Sequence, residues 1–287
     1  SKAKTIISIS RLLMPYWCRS NRQWSRLLDF LESGLHHMAM TNNDQKKNNG
    51  ERIAKVIARA GLCSRRDAER WIEAGRVELN GKKLMTPACV VTAQDIIVVD
   101  GKALPDKEPT RMWRYNKPAG LVTSHKDPQG RKTVFEALPS FLPRVISVGR
   151  LDYNSEGLLL LTNDGELARK LELPDTGWTR RYRVRVHGNV EATELTKLSN
   201  GVTVDDVKYG SIIANFDSRT GANAWMTVIL KEGKNREIRK VMEHIGLTVN
   251  RLIRTAYGPF QIGSLEQRDV DEVRPKSLRD QVGMFLK

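Results

Sequence analysis

The chain has 287 residues, and its 48 Lys and Arg against 33 Asp and Glu give a formal net charge of +15. That length fits two domains with real cores, and the charge excess points to a polyanionic partner, nucleic acid before membrane. Cys18, Cys63 and Cys89 are too few and too scattered for a disulfide framework, and the histidines lack metal-ligand spacing. With no phosphate-loop or dinucleotide fingerprint and no membrane-length apolar run, the reading is cytoplasmic chemistry without metal, cofactor or membrane.

Residues 1–50 read as an upstream extension ending in a polar linker, with natural translation expected to start at Met38 or Met40. Arginines and scarce acids give the same stretch a transit-peptide look as the competing reading. From Glu51 the pattern sharpens. Ile53, Val56, Ile57 and Ala60 share one helix face that stops at Gly61. Ser64 caps a second helix, with Asp67 three residues on as in a capping box, and Ala68, Trp71 and Ile72 point inward until Gly75. A strand over 77–79 turns at Asn80-Gly81, and a last strand over 95–99 runs into Asp100-Gly101. Lys55, Arg59, Arg65, Arg66, Arg70 and Arg76 cluster around the helix pair. Arg65 and Arg66 sit at a helix N-terminus, where the macrodipole disfavours cations but backbone N–H groups attract phosphate, so they imply a use outside the fold. A solvated basic face is the plainer alternative.

Residues 103–110, with Pro105 and Pro109, predict an interdomain linker. A strand over 112–116 follows, then a turn at Lys117-Pro118-Ala119-Gly120, a continuation over 121–124, a polar loop over 127–132 and a short helix over 134–138. The chain is organised around the stretch 147–152, Ser-Val-Gly-Arg-Leu-Asp, set ahead of Leu158-Leu159-Leu160-Leu161. Four leucines between Gly157 and a turn at 162–165 predict a buried strand, and a polar loop on so rigid a support suits a catalytic residue. Asp152 lies between Leu151 and Tyr153, and Arg150 offers a planar cation for phosphate or base. Loop aspartates also cap their own turns, and spacing alone leaves both readings open.

Beyond it, a helix over 165–173 starts at Asp164. Residues 181–187 alternate Tyr182, Val184 and Val186 with Arg181, Arg183 and Arg185, a half-buried strand with a basic outer face. A surface helix over 191–199 closes at Gly201, and strands over 212–216 and 225–230 follow. The stretch 232–240 opens a helix capped by Asn235 that ends at Gly246, with Ile238, Val241, Met242 and Ile245 inward. Arg239 beside Ile238 either points into a cleft or is solvated. A closing strand spans 248–254, and residues 264–287 are expected to wrap the surface. The fold class predicted is α+β: a small α/β domain with its linker over 51–110, then a catalytic domain over 111–287 with a largely antiparallel mixed sheet.

Two resemblances extend this reading. The order Ala58-Arg59-Ala60-Gly61, Ser64-Arg65-Arg66, Gly75-Arg76-Val77, Asn80-Gly81 and Val99-Asp100-Gly101 resembles the S4-type RNA-binding domain, which implies that Lys55, Arg59, Arg65, Arg66 and Arg76 form an RNA-docking face. Gly149-Arg150-Leu151-Asp152 with the stretch 157–165, Gly-Leu-Leu-Leu-Leu-Thr-Asn-Asp-Gly, resembles the active-site signature of the RsuA family of rRNA pseudouridine synthases, nearest the RluB-type large-subunit branch. The likeness runs from residue 51 to about 260 and implies isomerisation of uridine to pseudouridine in ribosomal RNA, 23S rRNA or a pre-ribosomal particle, by a cofactor-free monomer. It implies Asp152 as nucleophile, Tyr182 packed on the target base, Arg239 paired with Asp152 and Leu252 lining the pocket. Lys234 and Arg236 are lesser candidates beside Arg239, Arg150 would hold displaced backbone, and Tyr115 and Pro118 would pack beneath the cleft. Ser155 stands where many relatives carry Thr and keeps the hydroxyl. Two alternatives are a noncatalytic ribosome-assembly factor using the same surfaces and a metal-dependent RNA hydrolase, the latter disfavoured by the absence of a carboxylate cluster around Asp152 in sequence.

Overall fold

The computed structural model describes residues 50–286, so the reading of residues 1–49 lies outside it. The first unit begins with β1 (Glu51–Arg52), α1 (Ile53–Arg59) and α2 (Arg65–Glu73). It continues with β2 (Val77–Leu79), β3 (Lys82–Lys83), β4 (Val90–Val91), β5 (Ile97–Val99) and β6 (Lys102–Ala103). The strands form an antiparallel sheet β3-β2-β5-β6, with β1 paired to β4. Its core takes Ile53, Ile57, Ala68 and Ile72 from the apolar faces anticipated for the two helices, with Val77 and Val99 from the sheet, while Val56 and Trp71 are only partly buried. Ser64 Oγ accepts the Asp67 N–H at 3.1 Å, as a cap should. Asn80 and Gly81 both take positive φ (51° and 77°), and so do Asp100 and Gly101 (50° and 75°), the backbone a tight hairpin needs.

The second unit opens with β7 (Met112–Lys117), α3 (Val134–Ala137), β8 (Ile146–Val148), β9 (Ser155–Thr162) and α4 (Gly165–Glu172). Next come β10 (Arg180–His187), α5 (Ala192–Lys197), β11 (Val202–Val204), β12 (Val207–Tyr209), β13 (Ile212–Thr220) and β14 (Asn223–Leu230). It closes with α6 (Glu237–His244), β15 (Thr248–Tyr257), β16 (Phe260–Gln261), β17 (Val270–Glu272) and α7 (Pro275–Val282). One sheet runs β13-β14-β10-β15-β9-β7-β17, with β8 and β16 attached to β9 and β15. Among its described pairs only β9 and β15 are parallel, across Leu252–Ser155, Ile253–Glu156 and Arg254–Gly157. The four leucines of β9 are buried on both faces: Leu159 and Leu161 join a core with α3, α5 and α6, while Leu158 and Leu160 join a second core with α4 and α7.

Several expectations are corrected. Residues 121–124 are loop, touching Thr133 through a single bridge at Val122. The cap of α6 is Arg236, in the left-handed region at φ 51°, rather than Asn235. β15 lies mid-sheet instead of closing it. Residues 264–287 do more than wrap the surface: β17 extends the sheet beside β7, and Leu278 and Val282 of α7 are core residues.

Gly157, at φ 98°, makes the parallel seam possible. A Cβ there would collide with the Arg254 carbonyl oxygen and lie 2.8 Å from its nitrogen. Gly157→Ala should therefore cost about 2 kcal/mol or more from backbone strain and steric overlap. Urea unfolding measures this, and a change under about 0.5 kcal/mol would mean the seam yields freely.

Candidate active site

A cleft of about 440 Å³ opens where the loop before β9 meets β15 and the start of α6. The loop, residues 149–154, is held through its backbone. Lys117, fully buried at the end of β7, donates from Nζ to the carbonyls of Ser155 (2.8 Å), Pro118 (3.0 Å), Asp152 (3.2 Å) and Tyr153 (3.4 Å). Thr123 Oγ1 donates to the Leu151 carbonyl at 2.8 Å, and the Gly149 N–H donates to Glu172 Oε1 at 2.7 Å. The turn after Asp152 is closed by its carbonyl, which accepts the Ser155 N–H at 3.0 Å. No hydrogen bond reaches the Asp152 carboxylate among the described residues, and it lines the cleft.

Tyr182 shares an inward face with Val184 and Val186 because strand alternation puts every second residue on one side. It lines the cleft with Leu252, and Arg150, Lys234 and Arg236 stand around them. Lys234 is tied to Glu232 at 2.8 Å and to the Lys208 carbonyl at 2.6 Å. The expected pairing of Arg239 with Asp152 is not formed. Arg239 donates from Nη1 to the Val249 carbonyl (3.1 Å) and from Nη2 to the Asn154 carbonyl (3.2 Å), bracing the loop two residues past Asp152. Burial and the neighbouring Arg236 push the Arg239 pKa down, while the Asp152 charge opposes them, so the two groups share a field without contact.

Other cleft residues carry no motif in the sequence. Arg180 and Arg254 are 8 % and 2 % exposed. Their guanidinium groups lie 4.8 and 4.9 Å from the Tyr257 ring centre. Arg180 donates to the Trp178 carbonyl at 3.0 Å and Arg254 Nε to the Leu158 carbonyl at 2.7 Å. Neither meets a carboxylate among the described residues, and Arg254 Nη2 is buried without a partner. Glu237 accepts the Lys234 N–H at 2.9 Å on one oxygen and leaves the other buried and unpaired; burial raises its pKa. An arginine at an inward strand position was the available signal for Arg254; nothing local marks Lys117 as buried.

The basic residues of the first unit divide. Lys55 and Arg59 pair with Glu51 and with Glu166 in the first turn of α4, and so join the two units. Arg76 pairs with Asp100 and lies over the Trp71 ring. These three, expected on the docking face, each have an acidic partner within the protein. Arg65 and Arg66 are exposed at the start of α2.

Comparison with known proteins matches this architecture. The family model for RNA pseudouridylate synthase matches residues 111–244, and that for the S4 domain matches residues 51–97. An uncharacterized RNA pseudouridine synthase of Rickettsia bellii is 48% identical over 226 residues, 79% of this chain and 98% of that one. The ribosomal large subunit pseudouridine synthase B of Pseudomonas aeruginosa is 41% identical, covering 82% of this chain and 63% of the relative. A crystal structure of a pseudouridylate synthase shares the fold, with a TM-score of 0.56 at 23% identity over 80% of this chain and 99% of that one. This is an RNA-modifying enzyme with an S4 domain ahead of an isomerase domain. The chain belongs to the RNA pseudouridylate synthase family.

Burial brings the Lys117 pKa down to about 8 from 10.5, with Asp152 and Glu156 acting the other way. Between those values the unfolded chain holds a proton that the folded chain has released, so this group makes the protein more stable as pH rises through 8. The same deprotonation removes a donor and a charge from the carbonyl cage. Activity should therefore fall above about pH 8 while thermal stability does not, as parallel pH series would show; a joint fall would place the titration elsewhere.

Proposed function

We propose that the enzyme isomerises uridine to pseudouridine in the RNA of the large ribosomal subunit, with Asp152 acting on the target nucleotide. The observation that carries this reading is the convergence of Asp152, Tyr182 and Leu252 in one cleft ringed by Arg150, Arg169, Lys234 and Arg236. The relatives named as large-subunit enzymes, from Pseudomonas aeruginosa and Salmonella typhi, support the choice of RNA. Such a cleft admits one nucleotide and no duplex, so the uridine enters unpaired or flipped.

The reaction breaks the C1′–N1 bond and joins C1′ to C5; C5 gives up a proton and N1 gains one. Nothing is oxidised or transferred away, so no energy source is consumed. A carboxylate serves either as nucleophile or as base for a ribose proton, and both roles need it ionised. The Tyr182 ring and the Leu252 side chain give the detached uracil a flat apolar bed while it turns. Arg180 and Arg254 are buried cations that form no ion pair among the described residues, a costly arrangement that a nucleotide phosphate relieves. Arg239 acts as a positioning residue by bracing the loop at Asn154. Arg150, exposed at the rim, holds displaced backbone, and Arg65 and Arg66 dock RNA phosphates at a distance from the cleft.

Asp152→Asn should lower tritium release from [5-³H]uridine-labelled large-subunit rRNA by more than about 100-fold, roughly 3 kcal/mol, with RNA affinity within a few-fold. Residual activity above about one per cent of wild type, by the same conversion, would move the chemistry to another group. Replacing Arg65 and Arg66 together by Ala should flatten the log–log salt dependence of rRNA binding by about 0.7 to 0.9 per lost contact. An unchanged slope would remove them from the RNA-docking role.

A further inference from the structure

The sheet of the second unit is covered unequally. On the sheet face opposite Tyr182 and Leu252, α4 and α7 pack against Leu158 and Leu160 of β9 and against Met112 of β7. Over β10, β14 and β13 that side carries Arg181, Arg183 and Arg185 in a column, because alternation points every second residue of β10 outward. Register sets Arg181 beside Ile229, Arg183 beside Thr227 and Ile253, and Arg185 beside Trp225 and Arg251. Arg251 is neutralised by a two-pronged bond to Glu156, both arms at 2.8 Å. The side chains of the three column arginines have no hydrogen bond or ion pair among the described residues, and the Arg183 guanidinium lies 4.5 Å from the Trp225 ring centre.

Like charges about 6.8 Å apart along one strand, with no acid across from them, oppose folding. An outside polyanion removes that cost. A guanidinium stacked on a half-buried indole, on an open antiparallel sheet, is also the surface on which RNA bases and phosphates are held together. We propose that this open face is a second RNA-binding surface, separate from the cleft, which grips another segment of the same large RNA through Arg181, Arg183 and Arg185. It rests on the large-RNA reading above for the identity of the ligand. A small isolated substrate would reach only one side of the sheet; a structured rRNA reaches both.

The test uses the full chain with Arg181, Arg183 and Arg185 all replaced by Ala, and a transcribed large-subunit rRNA as probe. The salt slope of binding should fall by about 2, from three contacts at about 0.7 to 0.9 each. The single-turnover rate at saturating RNA should stay unchanged, because none of the three arginines lines the cleft. The triple Arg→Lys variant should restore most of the slope and so separates charge from folding damage. An unchanged slope in the Ala variant overturns the proposal, as does a loss that Lys fails to rescue. Ile213, 50 % exposed beside this face, is the site for a photo-crosslinking p-benzoylphenylalanine. With precursor large-subunit particles it should label rRNA, and labelling of ribosomal protein alone would overturn the RNA assignment. Wild type that binds the transcript but releases no tritium would defeat the proposed reaction and leave this binding result to stand by itself.

Discussion

The parallel join between β9 and β15 is the constraint on which the catalytic unit depends. It spans three residue pairs and links the antiparallel strands β13, β14, β10 and β15 to β9, β7 and β17. Its direction fixes the site. Because the strands run the same way, the chain entering β9 arrives beside the middle of β15, and the loop carrying Asp152 meets Leu252. Antiparallel pairing of the same two strands would turn that loop toward the opposite edge. Two layers of apolar packing, one on each side of β9, then hold the seam rigid.

A net charge of +15 conceals three different uses of cationic side chains. Some hold backbone: Lys117 and Arg239 both spend their donors on carbonyls around the Asp152 loop. Some hold acids, and the pairs of Lys55 and Arg59 with Glu166 tie the first unit to the helix that follows β9. Partly exposed pairs of that kind are worth about 1 kcal/mol or less each and weaken with salt, so they orient more than they stabilise. The remainder, among them Arg150 and the column on β10, form no ion pair among the described residues.

Where a signal is local, the sequence carries it. The Asn80-Gly81 and Asp100-Gly101 hairpins, the Ser64 and Asp164 caps, the buried leucines of β9 and the alternation of β10 all stand where residue chemistry puts them. What periodicity reports is which face a residue takes, never which strand lies beside it. The central place of β15 and the edge strand β17 depend on partners distant in the chain, Ser155 and Val184 for Leu252 and Tyr115 for Val270, so neither was legible. The Arg236 cap was missed because a left-handed arginine has no compositional mark, whereas Asn235 looks like a cap. Of the site, Asp152, Tyr182 and Leu252 were found by their resemblance to a family signature and do share one cleft. Lys117 was overlooked because a lysine at a strand end reads as solvated until the carbonyls of residues 152–155 are folded around it.

That carbonyl cage separates shape from identity. The ammonium of Lys117 grips oxygens that every amino acid possesses, and it does so at Asp152, Tyr153 and Ser155 alike. The contour of the loop is consequently written outside the loop, at the end of β7, and not in the side chains that the loop displays. Positions such as Arg150, Tyr153 and Asn154 are then free to be rewritten for a different RNA surface while the carboxylate stays where the chemistry requires it. Recognition can drift across this rim without disturbing the reaction it surrounds.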